Sequence, residues 1–101
     1  MGGNSGGGGN GGRSGGGGEM SVADMYGPIK SEYSAKGVSV GLSKGMNVAE
    51  PGQKPRYGDV IGMRARNGAD ARIYSDRVIV SGKKYTDFIA GLTAFEKDAR
   101  I

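Results

Sequence analysis

Twelve of the first 18 residues are glycine, and no apolar side chain follows Met1 until Met20. A segment of this composition cannot bury enough surface to offset the entropy that it would lose on ordering. We therefore predict a disordered glycine-rich tail over residues 1–18 and a single small domain over residues 19–101. The tail is either a natural low-complexity segment or an engineered linker placed before Met20, and its scattered Asn and Arg residues favour the natural segment.

The domain has little material for a hydrophobic core. Val, Ile, Leu and Phe together account for 17 residues of the whole chain. Small domains with thin cores commonly depend on disulfides, metal ions or self-association. The chain contains neither Cys nor His, so it can form no disulfide and lacks the usual zinc ligands. We expect no metal or other cofactor, and we expect a homo-oligomer or a subunit of a larger assembly.

The sequence shows no signal for contact with a membrane. No apolar run approaches the roughly 20 residues that a membrane-spanning helix needs. The N-terminal residues also lack the basic region and the apolar region of a Sec signal. We therefore expect a protein that has no membrane partner and is located in the cytoplasm or in a virion.

Two segments of the domain have helical signals. Ser21 and Asp24 have the spacing of a helix cap, and Gly27–Pro28 is a stop signal, so a short helical turn is predicted over Val22–Tyr26. Near the C-terminus Thr86 is a potential N-cap, and apolar residues then recur with helical spacing. The predicted apolar face of this C-terminal helix consists of Phe88, Ile89, Leu92, Phe95 and Ala99.

Alternation of apolar and polar residues predicts the strands. Apolar residues alternate with Ser and Gly over residues 38–43, which is the pattern of a half-buried strand. Residues 45–58 contain three glycines and two prolines and are predicted to form a long irregular connection. Further strands are predicted over residues 60–66, 71–74 and 77–80, with a turn at Ser81–Gly82 leading toward residues 83–85. The predicted fold is α+β: a small antiparallel meander of about four strands packed by one C-terminal helix.

The turn between the strands at residues 60–66 and 71–74 determines which side chains share a face. Asn67–Gly68 marks this turn. A loop of odd length, such as Asn67–Ala69 with Gly68 or a neighbour in the left-handed conformation, keeps the apolar residues of both strands on one side. The cross-strand pairs predicted from this loop are Met63 with Ile73 and Arg64 with Arg72. The opposite face then presents Arg64, Arg66, Arg72 and Tyr74.

The residues offer little support for catalysis. Without His or Cys there is no imidazole base and no thiol nucleophile. Residues 81–84 match the S-x-x-K pattern of some serine enzymes, but that pattern needs a helix start below a cleft and these residues fall in a predicted turn. The ten acidic residues are scattered, and no spacing singles out a pair. We therefore predict that the protein is not an enzyme and has no small-molecule substrate.

Basic residues are concentrated in one part of the chain. Residues 54–84 carry eight basic and three acidic side chains, whereas the remainder carries six and seven. Arginines along one face of a sheet can contact successive phosphates, and a neighbouring tyrosine can stack on an unpaired base. We predict a non-catalytic protein that binds the phosphate backbone of nucleic acid, including single strands, through this face. The predicted binding residues are Arg56, Arg64, Arg66, Arg72, Tyr74, Lys83 and Lys84.

Three other interpretations remain open. The basic residues could form the ordinary solvated face of a half-exposed sheet, although directly paired Arg64 and Arg72 would repel each other and therefore favour an anionic partner. A glycine-rich tail, a thin core and an expected oligomer also suit a structural or assembly subunit of a virion, an appendage or another complex. The third interpretation is a small inhibitor or adaptor module.

The order of elements from about Val38 onward is similar to that of the transcriptional-coactivator type of single-strand DNA-binding domain. That family combines a flexible leader rich in Gly and Ser with several antiparallel strands that carry basic residues and one closing helix. The resemblance adds to the nucleic-acid hypothesis. It lies in the layout and not in a sequence motif, so no residue role follows from it.

Overall fold

Residues 21–101, the part of the chain that the computed structural model describes, form a five-stranded antiparallel sheet and two helices. The sheet has the strand order β1-β2-β3-β4-β5, so each strand pairs with its neighbour in sequence. The elements are α1 (Val22–Ser34), β1 (Ser39–Asn47), β2 (Tyr57–Arg64), β3 (Asp70–Ile73), β4 (Val78–Val80), β5 (Lys83–Tyr85) and α2 (Phe88–Ala99). The predicted α+β class and antiparallel meander are confirmed. The predicted tail over residues 1–18 and its boundary with the domain lie outside the described residues.

The predicted count of about four strands and one helix is too low. Lys83–Tyr85 forms a fifth strand beside β4, and the predicted turn over Val22–Tyr26 is the start of a full helix. That helix continues through Pro28 to Ser34, so the predicted stop at Gly27–Pro28 is wrong.

Burial of one face of α1 explains why the helix passes its proline. An interior proline costs about 3 kcal/mol because it removes one backbone hydrogen bond and crowds the preceding turn. Val22, Met25, Ile29 and Tyr33 are all buried on the face that packs against the sheet. Burial of an apolar side chain contributes about 1.5–3 kcal/mol, so four such residues outweigh the cost of the proline.

The start of α2 differs from the prediction by one residue. Asp87, and not Thr86, is the N-cap, because its carboxylate accepts a hydrogen bond from the backbone N–H of Ile89 (3.0 Å). The side chain of Ile89 is 67% exposed, so the prediction that it widens the apolar face is wrong. Ile89 follows Phe88 by one residue, which is about 100° around the helix, and so lies outside the face that packs on the sheet.

The rest of the predicted apolar face of α2 is confirmed. Phe95 and Ala99 are buried, and Phe88 and Leu92 are half-buried against the core. Gly91 lies on the same face and allows the helix to approach β4 closely. A Cβ atom at Gly91 would lie only 2.7 Å from the Cβ atom of Val78.

Both helices cover the same face of the sheet, which we call the inner face. Helix α1 packs on β1 and β2, and α2 packs on β3, β4 and β5. The two helices meet where the rings of Tyr33 and Phe95 pack edge to face, with centroids 6.0 Å apart. The hydroxyl of Tyr33 donates a 2.5 Å hydrogen bond to Oε2 of Glu96. Burial and then this hydrogen bond raise the pKa of Tyr33 above its ordinary value.

The β2–β3 hairpin has a loop of odd length, as predicted, but the loop closes one residue earlier. The backbone N–H of Ala65 donates to the carbonyl oxygen of Ala69 (2.8 Å), which leaves a loop over residues 66–68. Gly68 is the last loop residue and has the predicted left-handed conformation (φ +93°). The inner and outer faces are therefore assigned correctly, because the loop length keeps its parity.

The predicted cross-strand pairs in this hairpin are wrong. Each partner is displaced by two residues because the loop begins at Arg66 and not at Asn67. The observed pairs are Ile61 with Ile73, Gly62 with Arg72, Met63 with Ala71 and Arg64 with Asp70. The directly opposed pair of arginines is thus replaced by an arginine beside a glycine and an arginine beside an aspartate.

The connection between β1 and β2 is shorter than predicted and lies on the other face of the sheet, the outer face. It spans residues 48–56, because β1 extends past a bulge after Ser43 and β2 begins at Tyr57. The side-chain oxygen of Asn47 accepts hydrogen bonds from the N–H groups of Ala49 and Arg56 (both 3.1 Å) and closes the base of the loop. We call residues 48–56 the crossing loop, because its side chains and backbone reach across the sheet to β4 and β5.

Candidate binding groove on the outer face

Two glycines form an open depression on the outer face of the sheet. Gly41 of β1 lies opposite Gly62 of β2, and Gly62 lies opposite Arg72 of β3. A Cβ atom at either glycine would have no neighbouring atom within 4 Å. Within residues 21–101 the two helices pack on the inner face, and this row of two glycines and an arginine is accessible from solvent. We call it the glycine groove.

Polar side chains surround the glycine groove. Ser39 of β1 lies opposite Arg64, and Arg64 lies opposite Asp70 of β3. Arg64 and Arg72 are both exposed. They are diagonal neighbours across the β2–β3 pair, a position in which long side chains can reach the same ligand. The residues around the groove therefore combine two cations, one carboxylate and a hydroxyl.

The two arginines of the groove are not neutralised within residues 21–101. Neither forms an ion pair with a carboxylate of the described chain. Arg64 is opposite Asp70 in the sheet, yet their side chains do not come within salt-bridge distance. Their guanidinium groups are therefore available to an anionic ligand, which would gain charge-assisted hydrogen bonds.

The end of the outer face beside the crossing loop is different, because its cations are already bound. Arg77 is buried with 8% of its surface exposed. Its guanidinium group donates to the carbonyl oxygen of Val48 (2.9 Å) and to the carboxylate of Asp76 (2.9 Å), and it stacks 3.9 Å from the ring centre of Tyr74. Arg56 donates to the other oxygen of Asp76 (3.1 Å).

Neighbouring cations lower the pKa values of two carboxylates at this end of the outer face. Partial burial raises the pKa of Asp76, but the hydrogen bonds from Arg56 and Arg77 outweigh this effect and hold the pKa below its ordinary value. Glu50 of the crossing loop accepts a 2.8 Å hydrogen bond from Lys84 of β5. That hydrogen bond, with the charge of Lys84, lowers the pKa of Glu50. Both carboxylates are therefore ionised at neutral pH, and Glu50 neutralises Lys84 while Asp76 neutralises one of the two charges of Arg56 and Arg77.

The structure brings together only part of the predicted binding set. Arg64 and Arg72 share the glycine groove. Arg66 lies in the β2–β3 loop, and its guanidinium group packs against Gly37, where a Cβ atom would be 3.0 Å from its Nε. Arg66 therefore lies beyond the end of β2, beside Gly37, and not on the strand face where it was predicted.

The other predicted residues are engaged elsewhere or lie on the other face. Tyr74 has the guanidinium group of Arg77 on one side of its ring. Arg56 and Lys84 are held by Asp76 and Glu50. Lys83 pairs with Val80, a core residue, and its ammonium group lies 5.3 Å from the ring centre of Tyr85. Lys83 is therefore on the inner face, beside α2, and is separated from the groove by the sheet.

The outer face remains positive after these pairings are counted. Its cations are Lys54, Arg56, Arg64, Arg72, Arg77 and Lys84, and its carboxylates are Glu50, Asp70 and Asp76. Part of the excess lies at the crossing-loop end, because Arg56 and Arg77 share the one carboxylate of Asp76. The groove carries the rest, and its arginines differ in having no ion pair among residues 21–101.

Sequence reasoning missed two parts of this site. Gly41 was assigned only to a strand pattern, although its lack of a side chain extends the glycine groove from β2 onto β1. Arg77 was counted among the basic residues without the buried role that it has. The Asp76–Arg77 dipeptide beside Tyr74 is a local signal that could have suggested a stacked and paired arginine.

No family model, curated protein or solved structure matches the chain. Neither helix in the described part of the chain has the length and apolar character needed to cross a bilayer.

Proposed function

We propose that the protein binds nucleic acid through its phosphate backbone at the glycine groove. Arg64 and Arg72 would contact phosphates, and the floor at Gly41 and Gly62 would admit the sugar–phosphate chain close to the sheet. The observation that carries the proposal is a pair of exposed arginines without carboxylate partners in residues 21–101, beside a floor with no side chains.

The shape of the groove favours a chain-like ligand over a compact one. Small-molecule sites usually enclose most of their ligand in a concave apolar pocket. The glycine groove is a shallow depression on an open sheet, and its polar groups stand at the rim. An extended polyanion can contact both arginines without being enclosed, and its affinity then comes mainly from the release of counterions.

The contacts to nucleic acid would be made with its backbone and would not include stacking of bases on Tyr74. Tyr74 was the predicted stacking residue, but one side of its ring is already covered by Arg77. Contact through two arginines gives little discrimination among bases, because phosphate contacts carry no direct sequence information. We therefore expect binding with weak sequence preference.

Fluorescence anisotropy with labelled single-stranded and double-stranded oligonucleotides tests the proposal. The variant R64Q/R72Q removes both cations of the groove, and the matched control K83Q/K97Q removes two exposed cations from the helix side of the sheet. We expect R64Q/R72Q to weaken binding roughly 10- to 100-fold. The control should change affinity much less, because its cations do not adjoin the groove.

Salt dependence provides the second measurement. The logarithm of the association constant should fall linearly with the logarithm of salt concentration, and each lost phosphate contact should reduce the slope for a single strand by about 0.7. R64Q/R72Q should therefore reduce the slope by about 1.4. Equal losses in both variants would show binding by net charge alone. The absence of any binding would favour the structural or assembly subunit.

A further inference from the structure

The two edges of the sheet differ in how well they are protected. β5 is an edge of three residues and carries Lys83 and Lys84. β1 is an edge of nine residues, and among residues 21–101 it has β2 as its one neighbour. Natural proteins protect edge strands by shortening them, by placing charges or proline on them, or by bulges. β5 uses the first two of these devices.

The first half of β1 uses none of these devices. Its sequence is Ser39-Val40-Gly41-Leu42-Ser43, without a charge or a proline, and the bulge lies after Ser43. The segment is also symmetrical in residue type about Gly41, with an apolar residue on each side and then a serine on each side. An antiparallel copy of this segment would therefore meet residues of matching type at every position.

We propose that two copies of the chain pair antiparallel along β1, about a two-fold axis at Gly41, to form one continuous ten-stranded sheet from two five-stranded sheets. Gly41 then faces its own copy. Val40 faces Leu42 of the second copy on the inner side, and Ser39 faces Ser43 of the second copy on the outer side. This arrangement is isologous, so the Val40–Leu42 and Ser39–Ser43 contacts each occur twice.

The apolar residues of β1 give this pairing a driving force. Val40 and Leu42 are only half-buried in the single chain, although they pack against the core. Each would be covered further by the other in the second copy, and apolar cross-strand pairs stabilise a sheet. The bulge after Ser43 limits the pairing to about five residues a side, well below a standard interface. We therefore expect a dimer that dissociates at micromolar concentrations.

The pairing would also join two glycine grooves. The outer-face row Arg72–Gly62–Gly41 of one copy would continue directly into Gly41–Gly62–Arg72 of the other. With neighbouring strands about 4.8 Å apart, the two Arg72 residues would stand roughly 24 Å from each other. The inference that the joined groove binds nucleic acid rests on the proposed function, whereas the inference of the dimer does not.

Analytical ultracentrifugation of the full chain without nucleic acid tests the dimer. Ser39 and Ser43 are both exposed, so charges can be introduced there without disturbing the core. S39K/S43K places lysine opposite lysine twice in the dimer, and S39K/S43E places lysine opposite glutamate twice. We expect S39K/S43K to weaken association at least tenfold and S39K/S43E to restore it, because directly opposed like charges destabilise a strand pair. Circular dichroism confirms that both variants fold.

Three results would overturn the proposal. The first is a native chain that remains monomeric at several hundred micromolar. The second is equal association of S39K/S43K and S39K/S43E, which would place the contact elsewhere. The third is a monomer whose β1 amides are protected from hydrogen exchange, which would make residues 1–20 of the same chain the occupant of this edge. All three are independent of nucleic acid, so failure of the proposed function leaves the dimer test unaffected.

Discussion

Replacement of Gly91 by alanine tests how closely α2 is seated on the sheet. The new Cβ atom would lie 2.7 Å from Cβ and 2.9 Å from Cγ1 of Val78, whereas ordinary contacts begin at 3.4 Å. The nearest atom is the branch point of a buried side chain on β4, so rotation of Val78 cannot remove the overlap. The helix or the strand must move by several tenths of an ångström.

Two opposing effects determine the magnitude. Alanine is preferred over glycine inside a helix by about 1 kcal/mol. Overpacking of a well-filled core costs about 1–3 kcal/mol. The overlap with the Cβ atom of Val78 places the cost of Gly91→Ala near the middle of that range. After the gain in helix propensity is subtracted, we expect a net loss of about 1 kcal/mol in the free energy of unfolding. For a domain of this size the midpoint of thermal unfolding should fall by about 4–8 °C.

Urea and thermal denaturation measure this loss, with Gly62→Ala as the matched control. Gly62 lies inside β2, where a Cβ atom would have no neighbour within 4 Å. The same substitution should therefore stabilise the protein there by about 0.5–1 kcal/mol. A Gly91→Ala variant that is as stable as the native chain, or more stable, would refute the close seating of α2.

Three further predictions concern the ionic and hydrogen-bonded contacts. Arg77→Gln removes a buried cation that binds the carbonyl oxygen of Val48, and should lower the free energy of unfolding in urea by about 1–3 kcal/mol; an unchanged value would contradict the buried role. Tyr33→Phe removes the hydrogen bond to Glu96 between the helices and should cost about 1 kcal/mol in thermal unfolding; no loss would refute the link. Because the pKa of Asp76 is lowered in the folded protein, its ionised form contributes stability above about pH 4, which is lost as pH falls through the native pKa. The Asp76→Asn variant should therefore be less stable than the native chain at neutral pH, and the difference in their free energies of unfolding should shrink as the solution is acidified. A difference that is constant across pH would contradict the assignment.

The local pattern of the sequence was sufficient for four of the five strands and for the two faces of the β2–β3 hairpin, but Lys83 of the fifth strand lies on the face opposite to the predicted one. Alternation over residues 38–43 predicts β1, and an odd loop near Gly68 assigns the correct face to both strands of the hairpin. The exact cross-strand pairs could not be predicted, because the pattern has period two. A shift of the loop by one residue moves each pair by two positions and leaves every side chain on the same face.

The predicted stop of α1 shows where local signals fail. Gly27–Pro28 predicts the end of a helix, and this prediction is sound when the helix stands alone. Tertiary burial of Ile29 and Tyr33 beyond the proline overrides it. Only the location of the sheet, which the helix sequence does not contain, indicates that those residues will be buried.

The ion pairs at the crossing-loop end of the outer face could also not be predicted from the sequence. Glu50 and Lys84 are 34 residues apart, and the crossing loop that brings them together has no periodic pattern. In the sequence alone, where the contacts of this loop are not visible, residues 54–84 look like one continuous basic surface. In the folded protein the loop and Asp76 engage Arg56, Arg77 and Lys84. Arg64 and Arg72 are then the arginines on the strands of the outer face that have no ion pair among residues 21–101.

Nuclear magnetic resonance is the most direct test of the glycine groove as a nucleic-acid site. A short single-stranded oligonucleotide is added to the isotopically labelled chain, and the shifts of individual backbone amides are followed. We predict that the largest shifts occur at Gly41, Gly62 and Arg72. Binding with its largest shifts on α2, or spread evenly over both faces of the sheet, would contradict the groove.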